Sequence, residues 1–366
     1  MADPRPPRRS PASGAVEAGR RLRLARLAAG LTQTQLAERC EVSRQAVAGA
    51  EAGSWSPSLG VALQLARALS TSVDQLFAIE PNPRQASATS LSADLSPARA
   101  RLASVWGRWV ALPLTGDRSM SSGFTAASGR LLDRGEAQVW GSGRSLVIAG
   151  CDPALPLMAE AVAVAREGWT VEWWSCANQE ALRLLESGLV HTAVLHRPSG
   201  EHDHREGSRS WSRIGFASWR EGVLLRDNPG AEQPASLAGV VQRKLRWINR
   251  EPGSGARNLL DRQLAQLGVS GSELEGYASS ATGHLQVASA IASGAAEVGI
   301  ATEPAAVAYG LRFLPLSEEE CVFHLPSERL DTPELRLLLA ALGGTHLARE
   351  LAGLPGYDTA ILGQQL

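Results

Sequence analysis

Residues 31–53 read LTQTQLAERCEVSRQAVAGAEAG and leave this part of the chain little freedom in how it folds. Thr32 is a strong N-cap, because its hydroxyl accepts a backbone N–H that a helix start leaves without an internal partner. The helix it opens turns Leu36 and Ala37 inward. A turn at Cys40–Val42 leads to Ser43, which caps a second helix bearing Arg44, Gln45 and Val47. Ser58 caps another, in which Leu59, Ala62, Leu63, Ala66 and Leu69 recur at the three- and four-residue spacing of a buried face. Asp74, Leu76 and Phe77 close the run, so the pattern predicts an all-α bundle over residues 15–79.

This run resembles the Cro/repressor-like (XRE) family of helix-turn-helix regulators. The matching residues are Thr32-Gln33, Leu36-Ala37, Val42-Ser43 and Glu51-x-Gly53, within a span of about residues 16–78. The resemblance implies a double-stranded DNA operator as partner, with Thr32, Gln33, Ser43, Arg44, Gln45 and Ala48 as the contact residues. The chemistry agrees, since Gln pairs with adenine and Arg with guanine when a helix start enters the major groove. Gln33, at the start of the preceding helix, is placed to bond a phosphate. Arg20, Arg21, Arg23 and Arg26 add attraction that is independent of sequence. Two positions depart from the pattern. Glu41 stands where the family turns left-handed on Gly, at a cost of order 1 kcal/mol. Gly49 lies inside the second helix, which costs roughly 1 kcal/mol relative to Ala.

Charge is distributed to match. Residues 1–80 hold ten Arg, no Lys and seven acids, a net +3, so the remainder of this 366-residue chain of net charge −1 carries −4. A basic head on an acidic body suits contact with phosphate at the head alone. Residues 1–14, rich in Pro and Arg, read as a disordered arm with no apolar segment of a secretory signal. Cys40, Cys151, Cys176 and Cys321 form no CxxC pair, which disfavours a disulfide framework and a cysteine-built zinc site. No stretch approaches the roughly 20 apolar residues that cross a bilayer. The expectation is a cytoplasmic protein with no membrane partner.

Residues 80–99 read as a linker. Beyond them, short apolar runs alternate with helical segments: Trp109–Leu114, Ser145–Ala149, Thr170–Trp174, Val190–Leu195, Gly222–Leu225 and Arg246–Ile248. Alternating strand and helix patterns predict a largely parallel sheet with helices on both faces. Near residue 250, a strand runs into Glu251-Pro252-Gly253-Ser254-Gly255 and then a helix, an arrangement that aims backbone N–H groups at an anion.

That loop resembles the cytoplasmic form of the periplasmic-binding-protein superfamily, close to its molybdate-binding domains. Further matches are Gly150-Cys151-Asp152-Pro153-Ala154-Leu155, Gly188 to His196, Thr282-x-His284, Val298-Gly299-Ile300 and Pro355-Gly356-Tyr357-Asp358. The resemblance covers about residues 100–362. The overall expectation is therefore a helix-turn-helix bundle plus an α/β bilobed periplasmic-binding-protein-like sensing domain over 100–366, its ligand held in the cleft.

The expected ligand residues are Cys151, Asp152, Ser175, Asn178, Arg250, Ser254, Gly255, Arg257 and Thr282. Asp152 has the wrong sign for an oxyanion and is expected to cap its helix instead. The ligand implied is molybdate, tungstate or molybdenum cofactor, with another organic anion as a further candidate. His191 and His196 are read as hydrogen-bonded structural groups, and His202 and His204 as a solvated loop. No resident cofactor, metal or catalytic residue is assigned. The function expected is a ligand-sensing transcription regulator, a homodimer or higher homo-oligomer. The alternative is a cytoplasmic oxyanion or cofactor binding and storage protein whose DNA head is weak.

Overall fold

The structure, a computed structural model, describes residues 13–77, 84–92, 97–119, 124–141, 143–199, 211–226 and 234–366. His202 and His204 lie outside the described residues, as does the expected arm up to residue 12, while Ser13 and Gly14 already belong to a helix. The chain divides into two units at Arg84.

The first unit is helical, with α1 (Ser13–Ala28), α2 (Gln33–Arg39), α3 (Arg44–Glu51), α4 (Leu59–Ala68) and α5 (Val73–Phe77). Thr32, Ser43 and Ser58 cap α2, α3 and α4, each accepting a backbone N–H on its hydroxyl. Thr32 and Gln35 form a reciprocal capping box, at 3.2 and 2.8 Å. Leu22, Leu36, Val47, Leu65 and Leu76 fill the core. The buried face of α4 differs from the expected one: Ala62, Leu65 and Ala66 are buried, while Leu59 and Leu63 are exposed. Three- and four-residue spacing is satisfied by either stripe, and packing selects the one containing Leu65.

The second unit begins where a linker was expected. Strands β1 (Arg84–Ser90), β2 (Ala98–Val105), β3 (Arg108–Pro113), β4 (Gly129–Leu131) and β5 (Glu136–Val139) close into a small barrel in the order β1-β3-β2-β4-β5. Residues 84–90 and 98–99 are thus strand within the predicted linker, and the predicted strand at Trp109–Leu114 belongs to this barrel. Ala88, Ala100, Ala111 and Ala137 line its interior with Leu102, Leu131 and Val139. Small side chains suffice because a five-stranded barrel is narrow, so the strands look polar and weakly apolar in sequence.

The remaining elements are β6 (Ser145–Ala149), α6 (Met158–Ala165), β7 (Thr170–Trp174), α7 (Asn178–Glu186), β8 (Thr192–Pro198), β9 (Trp211–Leu225), α8 (Leu237–Val241), β10 (Trp247–Arg250), α9 (Gly255–Leu267), β11 (Ser280–Ala281), α10 (His284–Ser293), β12 (Val298–Thr302), α11 (Glu303–Ala308), β13 (Arg312–Pro326), α12 (Pro333–Leu342) and α13 (Thr345–Ala352). One eight-stranded sheet orders them β11-β10-β12-β9-β13-β8-β6-β7. Its two ends are parallel, as the alternating pattern predicts. Its middle is an antiparallel ribbon of two 15-residue strands, β9 and β13, which both halves share.

The ribbon makes the unit bilobed. Near one end it pairs β8 through Glu319–His324, and near the other it pairs β12 through Glu221–Leu225. The first lobe packs α6, α12 and α13 on one sheet face and α7 on the other. The second packs α8 and α9 on one face, and α10 and α11 on the other. Glu221 and Glu319 mark the places where each lobe's pairing gives out, which is the waist between them. Open α/β sheets bind ligands outside the carboxyl ends of their strands. Here β6 runs out into Gly150-Cys151 and β10 into Glu251, next to this waist.

Candidate functional site

In the helical unit, α3 presents two faces. Val47 and Ala50 are buried, whereas Ser43, Arg44 and Gln45 are exposed and Ala48 is half-buried. Thr32 is exposed too, with its hydroxyl engaged in the cap of α2. Glu41 takes a φ of 52°, the left-handed conformation expected at that position. Gly49 has a packing reason that its sequence context hides: a Cβ there would sit 3.1 Å from that of Trp55.

Glu51 explains the Glu-x-Gly signature. Its carboxylate pairs with Arg26 at 2.5 Å and accepts from the Gln33 side-chain amide at 2.8 Å. Arg26 also donates to the Leu31 carbonyl, so one carboxylate ties α1, α2 and α3 together. Gln33, expected at a phosphate, is instead turned toward Glu51, because a buried carboxylate needs every donor within reach. Burial raises the Glu51 pKa, but the Arg26 and Gln33 hydrogen bonds outweigh it and leave it below its usual value. A depressed carboxylate stabilises the fold above its unfolded value, and that contribution fades as pH falls through the folded one. Glu51→Gln is expected to destabilise the bundle by about 1.5 kcal/mol at neutral pH. Thermal melts of the full chain should show this difference shrinking as the pH falls below the ordinary glutamate range.

In the second unit, the waist holds a buried polar cluster. Cys151 Sγ lies 3.9 Å from His284 Nε2. His196 Nδ1 lies 3.5 Å from Glu319 Oε2, and His284 Nδ1 lies 3.9 Å from Glu221 Oε1. The His196 ring is 5.2 Å from that of Trp219 and 6.0 Å from that of His284. All of these side chains are buried. Neither ring nitrogen of His196, neither oxygen of Glu221, nor Nδ1 of His284 has a hydrogen-bond partner among the described residues. Buried polar atoms almost always have partners, so their concentration here is unusual.

Charge inside the cluster is strongly coupled. Burial raises Glu221 and Glu319 adds to it; His196 and Arg250 resist, and the carboxyl is pushed up to about 7. Burial pulls His196 down, yet Cys151, Glu319 and Glu221 hold it well above its ordinary value. Burial with the nearby Arg250 and His196 holds His284 well below its own.

Beside His196 opens a cavity of about 530 Å³ whose lining includes Asn178, Gln179, Arg197, Gly255, Arg262 and Glu319. Gly255 is required there, since a Cβ would fall 2.4 Å from the His196 ring. The start of α9 in the second lobe therefore closes directly onto β8 of the first.

Residues 159–343 match the model of the PBP superfamily domain. The chain belongs to the PBP superfamily. Residues 17–77 match a helix-turn-helix domain model. Two uncharacterized relatives are similar over part of the chain. YvgK of Bacillus subtilis (strain 168) is 36% identical over 120 residues, 33% of this chain and 38% of its own length. A protein from the 5′ region of a ferredoxin 2Fe-2S gene of Clostridium pasteurianum is 30% identical over 107 residues, 29% of this chain and 95% of that protein. The alignment thus spans well under half of YvgK. Among solved structures, the restriction-modification controller protein C.AhdI from Aeromonas hydrophila is 39% identical over 18% of this chain and all of its own, with a TM-score of 0.18.

Of the residues expected at the ligand of this PBP-superfamily unit, the structure brings some together and not others. Asn178 and Gly255 line the cavity. The Asn178 side chain is held by the His196 backbone, at 2.6 and 3.3 Å. Cys151 and Arg250 lie in the buried cluster; Arg250 is locked to Glu251 by two hydrogen bonds of 2.8 Å, and its Nη1 has no partner among the described residues. Ser175, Ser254, Arg257 and Thr282 do not line the cavity. Ser254 caps α9 and Arg257 stacks on Tyr277 at 3.9 Å, so local helix chemistry holds both. Thr282 is exposed. Asp152 does not line the cavity, and it does not cap its helix as expected either, since Ala154 and Leu157 hold the N-cap positions of the helical turns that follow, with no side-chain cap. It accepts from the Ala154 amide, the Tyr357 hydroxyl and the Trp219 indole at 2.8, 2.8 and 2.7 Å.

His191 and His196 separate. His191 accepts the Val147 N–H at 2.9 Å and packs edge-on against Trp106, a structural role as read from the sequence. His196 does not share that role; it sits at the centre of the cluster because β8 runs from the core to the waist. Sequence reasoning missed Glu221 and Glu319. The one available signal was an acid inside or beside an apolar strand, in Trp219-Arg220-Glu221-Gly222-Val223 and Glu319-Glu320-Cys321-Val322.

Proposed function

We propose that the chain is a DNA-binding transcription regulator whose C-terminal unit captures a small organic anion between its lobes. The observation that carries this reading is the combination, in one chain, of an exposed Arg44-Gln45 helix start and a lobe-spanning cavity bordered by Arg197 and Arg262. Arg197, whose Nη2 donates to Glu320 at 3.4 Å, and Arg262 place guanidinium charge on the cavity wall, which suits a carboxylate or phosphate. At about 530 Å³ the cavity falls in the range that suits drug-sized ligands. That favours molybdenum cofactor, a pterin or another organic anion over bare molybdate or tungstate. The buried carboxylates of Glu221 and Glu319 also weigh against a small oxyanion at the floor of the cleft.

Regulation then requires only that the ligand prefer one lobe arrangement and that DNA affinity differ between arrangements. A homodimer reading two half-sites about 34 Å apart is the geometry that suits such heads. The role is one of binding, not catalysis. Thermal unfolding of the full chain against molybdate, tungstate, sulfate, phosphate and molybdenum cofactor tests the ligand class. A ligand at 100 times its Kd stabilises by about 2.7 kcal/mol, a readily seen shift. The reading predicts a shift with the cofactor that Arg197→Ala removes. A shift with molybdate and none with the cofactor would return the assignment to a bare oxyanion.

A further inference from the structure

The cluster beneath the cavity has chemistry that an anion-binding role leaves unused. Cys151, His196 and His284 place one thiol sulfur and two imidazole nitrogens within 4.8 Å of one another. His196, Glu221 and Glu319 meet the same criterion, so His196 is common to both groups. We propose that Cys151, His196 and His284 bind a transition-metal cation of the zinc or cobalt type, with Glu221 and Glu319 as the carboxylates behind the two imidazoles.

The spacing suits a three-ligand site that tightens on binding. Metal–sulfur and metal–nitrogen bonds of about 2.3 and 2.05 Å at a tetrahedral angle set sulfur and nitrogen about 3.5 Å apart. The observed Cys151–His284 separation of 3.9 Å is a few tenths of an ångström from that. A ligating imidazole usually directs its other nitrogen at a carboxylate, which fixes the ring and raises its basicity. His284 is oriented for it, with Nε2 3.9 Å from Cys151 Sγ and Nδ1 3.9 Å from Glu221 Oε1, a gap that a small shift on binding would close to a hydrogen bond. His196 has Glu319 beside its Nδ1. A thiolate and two imidazoles select a softer divalent ion over magnesium or calcium. Charge argues the same way: the Arg250 guanidinium is already paired with Glu251, while Glu221 and Glu319 are both more than nine-tenths buried. A divalent cation balances such a group where an anion would add to the repulsion.

The ligands come from both lobes. Cys151 follows β6 and His196 lies on β8, in the first lobe, whereas His284 opens α10 in the second. Glu221 and Glu319 belong to the shared ribbon. The metal therefore holds the lobes together, and three protein ligands leave a fourth position. The site does not depend on the outer cavity taking an anion.

The test uses the full chain, stripped with a chelator and titrated with Co(II), then with Zn(II). One Co(II) per chain is expected, with a thiolate-to-metal charge-transfer band in the near ultraviolet that Zn(II) abolishes. Cys151→Ser, nearly isosteric, removes the band, and Glu221→Gln weakens binding by about 10- to 100-fold. Melting each metal-free variant confirms that it is folded. No uptake of Co(II) or Zn(II) by a folded chain overturns the proposal, and so does a band that survives Cys151→Ser. Loss of the anion response with the cobalt band intact overturns the cavity reading alone.

Discussion

Gly19→Ala is expected to disrupt the helical unit, although glycine to alanine inside a helix normally adds stability. A Cβ at this position of α1 would meet the Glu51 and Ala50 carbonyl oxygens at 2.4 and 2.6 Å. Both are backbone atoms at the end of α3, so no side chain can rotate away, and α1 must move off α3. Overpacking of this kind costs about 3 kcal/mol. The displacement would also strain the Arg26–Glu51 pair, which joins the same two helices. Gly60→Ala in α4 is the matched control, since a Cβ there meets only the Ser58 hydroxyl, at 4.0 Å. It is expected to gain about 0.5 kcal/mol or more from helix propensity. Helical circular dichroism during thermal unfolding should move in opposite directions for the two variants. Equal behaviour would mean that α1 and α3 are not packed as described.

The second large effect is expected at Asp152. Its carboxylate accepts from Ala154, Tyr357 and Trp219, and thereby joins the β6 loop to the shared ribbon and to the segment after α13. Asp152→Ala leaves three buried donors without acceptors, a loss of about 4 kcal/mol at 1–3 kcal/mol for each. Asp152→Asn should cost less, but its amide sets a donor against the Trp219 indole N–H where the carboxylate had an acceptor. Tryptophan emission during urea unfolding separates these outcomes. An Asp152→Ala chain as stable as the wild type would show that the three hydrogen bonds do not hold the lobe together.

What the sequence disclosed was mostly local. Thr32, Ser43 and Ser58 could be read as caps because a cap needs only its own residue and the next three. The left-handed turn at Glu41 was implied by the Cro/repressor-like resemblance, which turns left-handed just before its Val-Ser pair. The parallel strands Ser145–Ala149 and Thr170–Trp174 stood out as short apolar runs and have the predicted limits. The barrel did not stand out. In β1, RQASATS, inward alanines replace the β-branched residues by which a strand is usually recognised, and ring closure fixes their burial. Likewise, Gly19 gains its importance only from the crossing of α1 and α3.

The cleft divides in the same manner. Cys151, Asn178 and Gly255 were found through loops at strand ends, where the fold places its ligands. Glu221 and Glu319 were not, because their position depends on the β9–β13 register, which pairs Ser317 with Glu221 and Glu319 with Trp219. Nothing within a few residues of either acid encodes that pairing. Arg257 and Thr282 were expected at the ligand from loop composition, but stacking on Tyr277 and solvent exposure place them elsewhere.

The proposed function has this PBP-superfamily chain read DNA through the start of α3. Selection from a pool of random duplexes by the full chain, with the Arg44→Ala/Gln45→Ala chain in parallel, tests it most directly. An enriched motif is expected, with the logarithm of its binding constant falling linearly with the logarithm of salt concentration. A loss of at least about tenfold is also expected in the double variant, since each base pairing contributes about 1–3 kcal/mol of discrimination. No enriched motif, or one bound equally well by the variant, would contradict it.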